Sequence, residues 1–208
     1  MDCRLDSLCR QMNGRLESQC KDTKNKSMAE KKNAISYESI MKDLKARKFA
    51  PVYVLMGDEP FYIDKICDYI AENVLQPEER DFNQTVLFGA DTTAVQVVDQ
   101  CKGYPMMAEF RVVIVKEAQN LKSLDALEKY LEKPVKSTVL VICNKNGSID
   151  RRKKFIPRAE QVGVVFESKK LYDRQLPGFI ETYLKARKAT IEPKAVQMVA
   201  DHIGADLH

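Results

Sequence analysis

From residue 36 to about residue 168, apolar runs of strand length alternate along the chain with segments in which apolar residues recur every three or four positions. The runs predict strands, and the periodic segments predict helices that pack one face against them. The predicted strands cover residues 52–56, 84–88, 111–115, 138–143 and 163–167. The predicted helices cover residues 37–48, 60–74, 93–102, 123–132 and 151–161. This alternation is typical of an α/β domain with a parallel sheet.

Two of the predicted strands are apolar at every position rather than at every second one. Residues 112–115 read Val-Val-Ile-Val, and residues 139–142 read Val-Leu-Val-Ile. Strands of this kind are buried on both faces, as in a parallel sheet that carries helices on each side. We therefore expect a parallel five-stranded sheet flanked by helices, formed by residues 30–168.

The strand pattern stops after residue 168. Apolar positions at helical spacing mark a helix over residues 173–188, and Pro193 opens another helical segment with Val196, Val199 and Ala200 on one face. Residues 169–208 are therefore expected to form part of a second, all-helical domain.

The first residues of the chain differ from the rest. Residues 1–27 are polar, without helical or strand periodicity, and end in a lysine-rich stretch. We expect residues 1–29 to be a disordered leader, with a functional N-terminal extension as the alternative. The leader has no apolar core segment of the kind that a signal peptide contains.

Composition narrows the function classes only slightly. The 208-residue chain is 44% hydrophobic, and 34 basic and 30 acidic residues give a net charge of +4, which does not by itself indicate a nucleic-acid-binding protein. The longest apolar runs are far shorter than the roughly 20 residues of a membrane-spanning helix. We therefore expect a cytoplasmic protein that does not enter the membrane.

The six cysteines predict no metal site. Cys67, Cys101 and Cys143 lie in apolar segments, where cysteine acts as a small hydrophobe. The other three, Cys3, Cys9 and Cys20, lie in the leader at spacings that match no zinc motif. The two histidines have no catalytic partner in a recognisable motif, so no catalytic residue and no cofactor are predicted.

A glycine turn follows the first strand and leads into a helix, which is the arrangement of a phosphate-binding P-loop. The turn reads Gly57-Asp58-Glu59-Pro60. A P-loop also requires a second glycine, a lysine for the β- and γ-phosphates and a hydroxyl residue for magnesium. Those three places hold Tyr62, Ile63 and Asp64. The turn therefore has the outline of a nucleotide loop without its chemistry.

The magnesium-binding acids of an ATPase are also missing. They should end the third strand, but that strand continues as Val115-Lys116-Glu117. A lysine at the metal-holding place repels magnesium. We therefore expect no ATPase activity from the chain.

Two adjacent methionines follow a Gly-Tyr-Pro turn before the third strand. Met106 and Met107 cannot both point into one core, so at least one should be exposed. On the residues alone, they can also be loop methionines that fill a gap in this protein's own core.

A basic segment reads Arg151-Arg152-Lys153-Lys154-Phe155-Ile156-Pro157-Arg158. It could follow a nucleic-acid backbone or form the solvated face of a helix.

Four segments, taken together, resemble the delta subunit of bacterial DNA polymerase III. They are the first strand with its Gly-Asp-Glu-Pro turn, residues 104–115 with the methionine pair and Arg111, residues 172–176 (Tyr-Asp-Arg-Gln-Leu), and residues 203–207 (Ile-Gly-Ala-Asp-Leu). The resemblance runs from about Tyr37 to the last residue. It implies an AAA+-like fold that has lost nucleotide binding, followed by half of a helical lid and without the C-terminal collar domain.

The same resemblance implies a function. Delta is a non-catalytic clamp-loader subunit of the DNA-directed DNA polymerase holoenzyme, and it binds and opens the sliding clamp. Its partners would be the clamp (the beta subunit) and the gamma/tau and delta prime subunits, with DNA reached through the assembled loader. Met106 and Met107 stand where the family presents a hydrophobic pair to the clamp, although the family more often has Leu-Phe there.

Two alternatives to the clamp-loader interpretation remain at the level of the sequence. One is a P-loop ATPase with an atypical loop, and the other is a basic DNA-binding module on the same fold. Nucleotide binding would favour the first, and steeply salt-dependent DNA affinity without a partner would favour the second.

Overall fold

The computed structural model describes residues 35–170 and 173–203, and all the elements below lie in one unit that begins at Tyr37. Several expectations lie outside the described residues: those for the leader and its three cysteines, for Tyr172, and for residues 204–208.

Five strands form a single parallel sheet in the order β2-β3-β4-β1-β5. The strands are β1 (Val52–Gly57), β2 (Gln84–Phe88), β3 (Arg111–Lys116), β4 (Thr138–Lys145) and β5 (Val164–Ser168). All five were predicted, within a residue or two at each end. Because the strands are parallel, their amino ends share one edge of the sheet and their carboxyl ends share the other.

Eight α-helices lie within the described ranges. They are α1 (Tyr37–Lys45), α2 (Pro60–Asn73), α3 (Pro77–Asn83), α4 (Ala94–Lys102), α5 (Asp125–Glu132), α6 (Phe155–Val162), α7 (Leu176–Ala186) and α8 (Pro193–Ile203). Short 3₁₀ turns occur at Ala118–Asn120 and Asp173–Gln175. Thr93 caps α4 through its hydroxyl, which accepts the Gln96 N–H at 3.3 Å.

One helix prediction needs correction, and one helix was not predicted. The helix predicted over residues 151–161 begins only at Phe155, because residues 151–154 form a turn in which the Asp150 carboxylate accepts the Arg152 N–H at 2.9 Å. Helix α3 was not predicted, because Asn83 is its one fully buried residue and the segment therefore has no apolar period.

The core lies on both faces of the sheet. In β1, Val52, Val54 and Met56 pack on one face with α4, α5 and α6, while Tyr53 and Leu55 pack on the other face with α1 and α2. Every residue of β1, and the apolar residues of β3 and β4, are buried. The prediction of strands covered on both faces is therefore confirmed.

The three cysteines within the described ranges are buried and unbridged. Burial raises the pKa of Cys101 to about 12, and a hydrogen bond with Cys67 together with burial raises the pKa of Cys143. High pKa values keep Cys101 and Cys143 protonated and unreactive near neutral pH.

None of the helices in the described ranges has the length and apolarity to span a membrane.

Candidate functional site

The glycine loop, residues 57–60, is held closed by the loop that follows β4 and by the last residue of β5. Gly57 N–H donates to the Gly147 carbonyl at 3.0 Å, and Asp58 N–H donates to the Ser168 carbonyl at 3.0 Å. Gly57 has φ +131°, and a Cβ at this position would overlap the Ser168 carbonyl oxygen. The loop therefore depends on glycine because another strand approaches it closely.

The amino end of α2 is where a nucleotide loop would hold phosphate, because unpaired backbone N–H groups point outward there. Here Glu59 takes that place. This residue is 2% exposed. Its carboxylate accepts the Phe61 N–H at 3.2 Å, while its carbonyl accepts the Ser168 hydroxyl at 2.7 Å. The next residue, Pro60, has no N–H to offer. The protein's own carboxylate thus occupies part of the anion-binding position.

The three places that failed the P-loop pattern have three separate structural roles. Ile63 is fully buried in the core between α2 and the sheet. Asp64 pairs with Lys145, the last residue of β4, at 2.7 Å. The two side chains are 33% and 31% exposed, so the pair contributes little to stability. It does place an ammonium group against the carboxylate that stands in the magnesium position.

Tyr62 stands where a P-loop has its second glycine, and it belongs to an aromatic cluster. Its ring centroid lies 5.0 Å from that of Tyr37, 5.5 Å from that of Phe61 and 6.3 Å from that of Phe179. Burial, assisted by the Glu38 and Glu59 carboxylates, raises the pKa of Tyr62 to about 12. The cluster joins α1, α2 and α7.

The basic segment is partly neutralised by its neighbours. Arg151 pairs with Glu167 at 2.6 Å and with Glu160 at 3.3 Å. Lys153 and Lys154 line an open cleft of about 670 Å³ that also contains carboxylates, those of Glu128 and Asp150. Within the described ranges, no group of three or more His, Cys, Asp or Glu side chains could hold a metal ion.

The methionine loop, residues 103–110, lies between α4 and β3. Met106 is 60% exposed and Met107 is 100% exposed, and Tyr104 beside them is also exposed. Met107 has φ +52°, an uncommon conformation for a residue other than glycine. Neither methionine fills a gap in the core.

Both flanks of the methionine loop are fixed to the body of the protein. At its beginning, the Arg111 guanidinium packs over Gly103 and donates to the Gln100 side chain at 2.7 Å. At its end, the Phe110 ring contacts Phe49 edge-on, with 5.6 Å between centroids.

The middle of the loop is held by Asn83 at the end of α3. Its side-chain oxygen accepts the Met106 N–H at 2.6 Å, and its side-chain nitrogen donates to the Met106 carbonyl at 2.9 Å. The two methionine side chains are therefore displayed on an anchored backbone.

The sequence pattern identified Glu59 as an acid at the start of α2, but it did not identify Lys145 or Asn83, nor the partner of any of the three. Glu59, Lys145 and Asn83 act through partners 109, 81 and 23 residues away, respectively. In the sequence, Asn83 is an amide residue in a short polar segment before β2, which indicates no particular role.

Comparison with known proteins gives consistent results. The family model for DNA polymerase III, delta subunit, matches residues 53–169. The DNA polymerase III subunit delta of Bacillus subtilis (strain 168) is 27% identical over 168 residues, which cover 76% of this chain and 48% of the relative.

Among solved structures, the DNA clamp loader delta protein of Bacillus subtilis superposes with a TM-score of 0.70 at 24% identity, over 83% of this chain and 54% of that one. The chain thus spans about half the length of both relatives. The structural likeness confirms the predicted fold, an AAA+-like parallel sheet of five strands flanked by helices.

Proposed function

The chain belongs to the delta-subunit family of DNA polymerase III, and from that premise we propose that it is a clamp-loader subunit that binds and opens the sliding clamp through Met106 and Met107. The observation that carries the proposal is the full exposure of Met107, beside a largely exposed Met106, on a loop anchored at three points. Methionines that filled a gap in the core would be buried instead.

The surface around the pair supports a protein partner. Phe82, next to Asn83 in the chain, and Tyr104 in the methionine loop are also exposed, and exposed apolar residues that cluster are typical of interaction sites. Methionine is unbranched and adapts its shape to an apolar pocket, so the pair can substitute for the more usual Leu-Phe.

Clamp opening by this subunit would use binding energy alone. The positions that bind phosphate and magnesium in an ATPase hold a carboxylate cap, a core isoleucine and an ion pair. A protein without nucleotide shifts a clamp towards its open form only by binding the open form more tightly than the closed one. ATP hydrolysis would come from the gamma/tau subunits, in a loader that also contains delta prime and reaches DNA as an assembly in the bacterial cytoplasm.

The test is binding of this chain to the sliding clamp of its own organism, with wild type compared with a Met106→Ala, Met107→Ala double variant. Removing two anchors that fill a partner's pocket should weaken binding by roughly thirtyfold or more, since such anchors commonly contribute 2 kcal/mol or more. The melting temperature should change little because Met107 is fully exposed and Met106 is mostly exposed. Met198→Ala is the matched control, since Met198 is 64% exposed on α8.

Either of two results would contradict the proposal. A double variant that binds the clamp as wild type does would remove the methionine pair from the interface. A wild-type chain that does not bind the clamp at all would reject the clamp-binding role of this chain.

A further inference from the structure

We infer that Asn83 is the positioning residue of the clamp-binding surface, acting through the backbone of Met106 to present Met107 to the apolar pocket of the clamp. The inference rests on the proposed function above. Asn83 is fully buried although it is polar, and buried polar groups of this kind are retained where all their hydrogen bonds are made.

The hydrogen bonds of Asn83 fit an amide and no other side chain of similar size. Its oxygen receives the Met106 N–H at 2.6 Å, and its nitrogen donates to the Met106 carbonyl at 2.9 Å and to the Glu79 carbonyl at 3.0 Å. An ionised aspartate could accept but could not donate, and a leucine could do neither. The backbone of Met106 is therefore recognised at both its polar groups by one side chain.

Helix α3 gives Asn83 a fixed base. The Gln76 N–H donates to the Glu79 carboxylate at 2.9 Å at the start of the helix. In the next turn, the Arg80 guanidinium donates to the Glu72 carbonyl near the end of α2 at 2.6 Å. Because α2 packs on the sheet, the position of Asn83, and with it that of Met106, is set by the core of the domain.

The conformation of the neighbouring residue explains why the loop needs such a support. Met107 has φ +52°, a backbone conformation that residues other than glycine rarely adopt unless their surroundings impose it. The Asn83 bonds fix the backbone before Met107, and the Phe110 contact with Phe49 fixes the chain after it. Ordering a flexible loop on binding costs free energy and weakens affinity. A loop that already has its binding conformation avoids this cost.

The experiment compares Asn83→Ala with Ser168→Ala in the 208-residue chain. Ser168 is also buried, and it donates a hydrogen bond to a carbonyl, that of Glu59, at the opposite edge of the sheet. We expect both variants to lower the melting temperature and only Asn83→Ala to lower clamp affinity, by about tenfold if the binding conformation falls to roughly a tenth of the population. Equal clamp affinity for Asn83→Ala and wild type would overturn the inference while leaving the proposed function intact.

A double-mutant cycle tests whether Asn83 acts through the methionines. Asn83→Ala should cost little or no further affinity when Met106 and Met107 are already alanine. An additional tenfold loss in that background would overturn the inference, because Asn83 would then support some other contact.

A measurement on the unmodified chain avoids any failure of the variant to fold. The Met106 amide should exchange its hydrogen with solvent far more slowly than the exposed Met107 amide, because it donates to a buried acceptor. If the Met106 amide exchanged at the rate of an unstructured chain, its hydrogen bond to Asn83 would not exist in solution, and the inference would be overturned. Failure of the wild-type chain to bind the clamp would instead contradict the proposed function and the clamp role of Asn83 with it.

Discussion

Gly57 and Gly147 pair with each other through their backbones, and both have positive φ values, +131° and +144°. Their surroundings differ. A Cβ at Gly57 would overlap the Ser168 carbonyl, whereas a Cβ at Gly147 would have no heavy atom within 4 Å. The two positions therefore separate backbone strain from steric overlap.

We predict that Gly57→Ala destabilises the fold much more than Gly147→Ala. Strain alone should lower the free energy of unfolding of Gly147→Ala by about 1–2 kcal/mol. Gly57→Ala adds a collision with backbone that a side chain cannot relieve, so its loss should exceed about 3 kcal/mol. Urea denaturation of both variants measures the difference, and equal losses would mean that the glycine loop is not closed on β5.

At the scale of single residues, the sequence indicated which residues are unusual better than it indicated which residues contact each other. The methionine pair could be selected because two adjacent large apolar side chains do not fit one core. The failed P-loop positions could be selected because the chemistry of phosphate binding is strict. The hold of Asn83 on Met106 could not be predicted, because the contact exists only after β2 and β3 have paired and brought the residues that precede them together.

At the scale of elements, the amino end of α2 determines how the chain responds to nucleotide. We predict that millimolar Mg-ATP leaves the melting temperature unchanged, because Glu59 caps the helix and Lys145 pairs with Asp64. A ligand at 100 times its dissociation constant would add roughly 2.7 kcal/mol, which corresponds to about 5–10 °C for a domain of this size.

A thermal scan with and without Mg-ATP makes this measurement, with a P-loop ATPase treated in parallel as a positive control. A rise of several degrees would contradict the prediction that the chain does not bind nucleotide and would favour the alternative of an ATPase with an atypical loop.

The predictability of the elements follows from how each is stabilised. Strands β1, β3 and β4 were recognisable because their burial on both faces requires unbroken apolar runs. Helix α3 was missed because capping and hydrogen bonds define it, with Pro77 at its first turn and Asn83 as its buried residue. The late start of α6 has a similar cause: four exposed basic residues precede Phe155, the first apolar residue that the core needs.

At the scale of the whole molecule, the two candidate surfaces lie on opposite edges of the sheet. The glycine loop, Lys145 and Ser168 are at the carboxyl ends of β1, β4 and β5. Asn83 and the methionine loop precede the amino ends of β2 and β3. The edge that would bind nucleotide in an ATPase is used to join elements within this chain, and the opposite edge displays apolar side chains to solvent.

The contact between Phe179 and Tyr62 connects the C-terminal helices to the glycine-loop edge. We predict that Phe179→Ala loosens α7 and α8 without disturbing the sheet, since the edge-on ring contact with Tyr62 and the tilted ring contact with Tyr183 are lost. Each such aromatic pair contributes about 0.5–1.5 kcal/mol.

Hydrogen exchange followed along the chain checks this expectation. Exchange should rise in α7 and α8 and stay unchanged in β1, β3 and β4, whereas Met198→Ala on α8 should leave both regions unchanged. Uniform loss of protection across the sheet would mean that the helices and the sheet open as one unit.

The central position of β1 also has a consequence for how the chain is made. This strand pairs with β4 and β5, and β5 follows it by about a hundred residues in the sequence. At roughly 5–20 residues per second, a ribosome needs about 5–20 s to synthesise the missing partners. During that time Val52–Gly57, an apolar strand without a partner, is a surface for chaperones or for wrong pairing with other nascent chains.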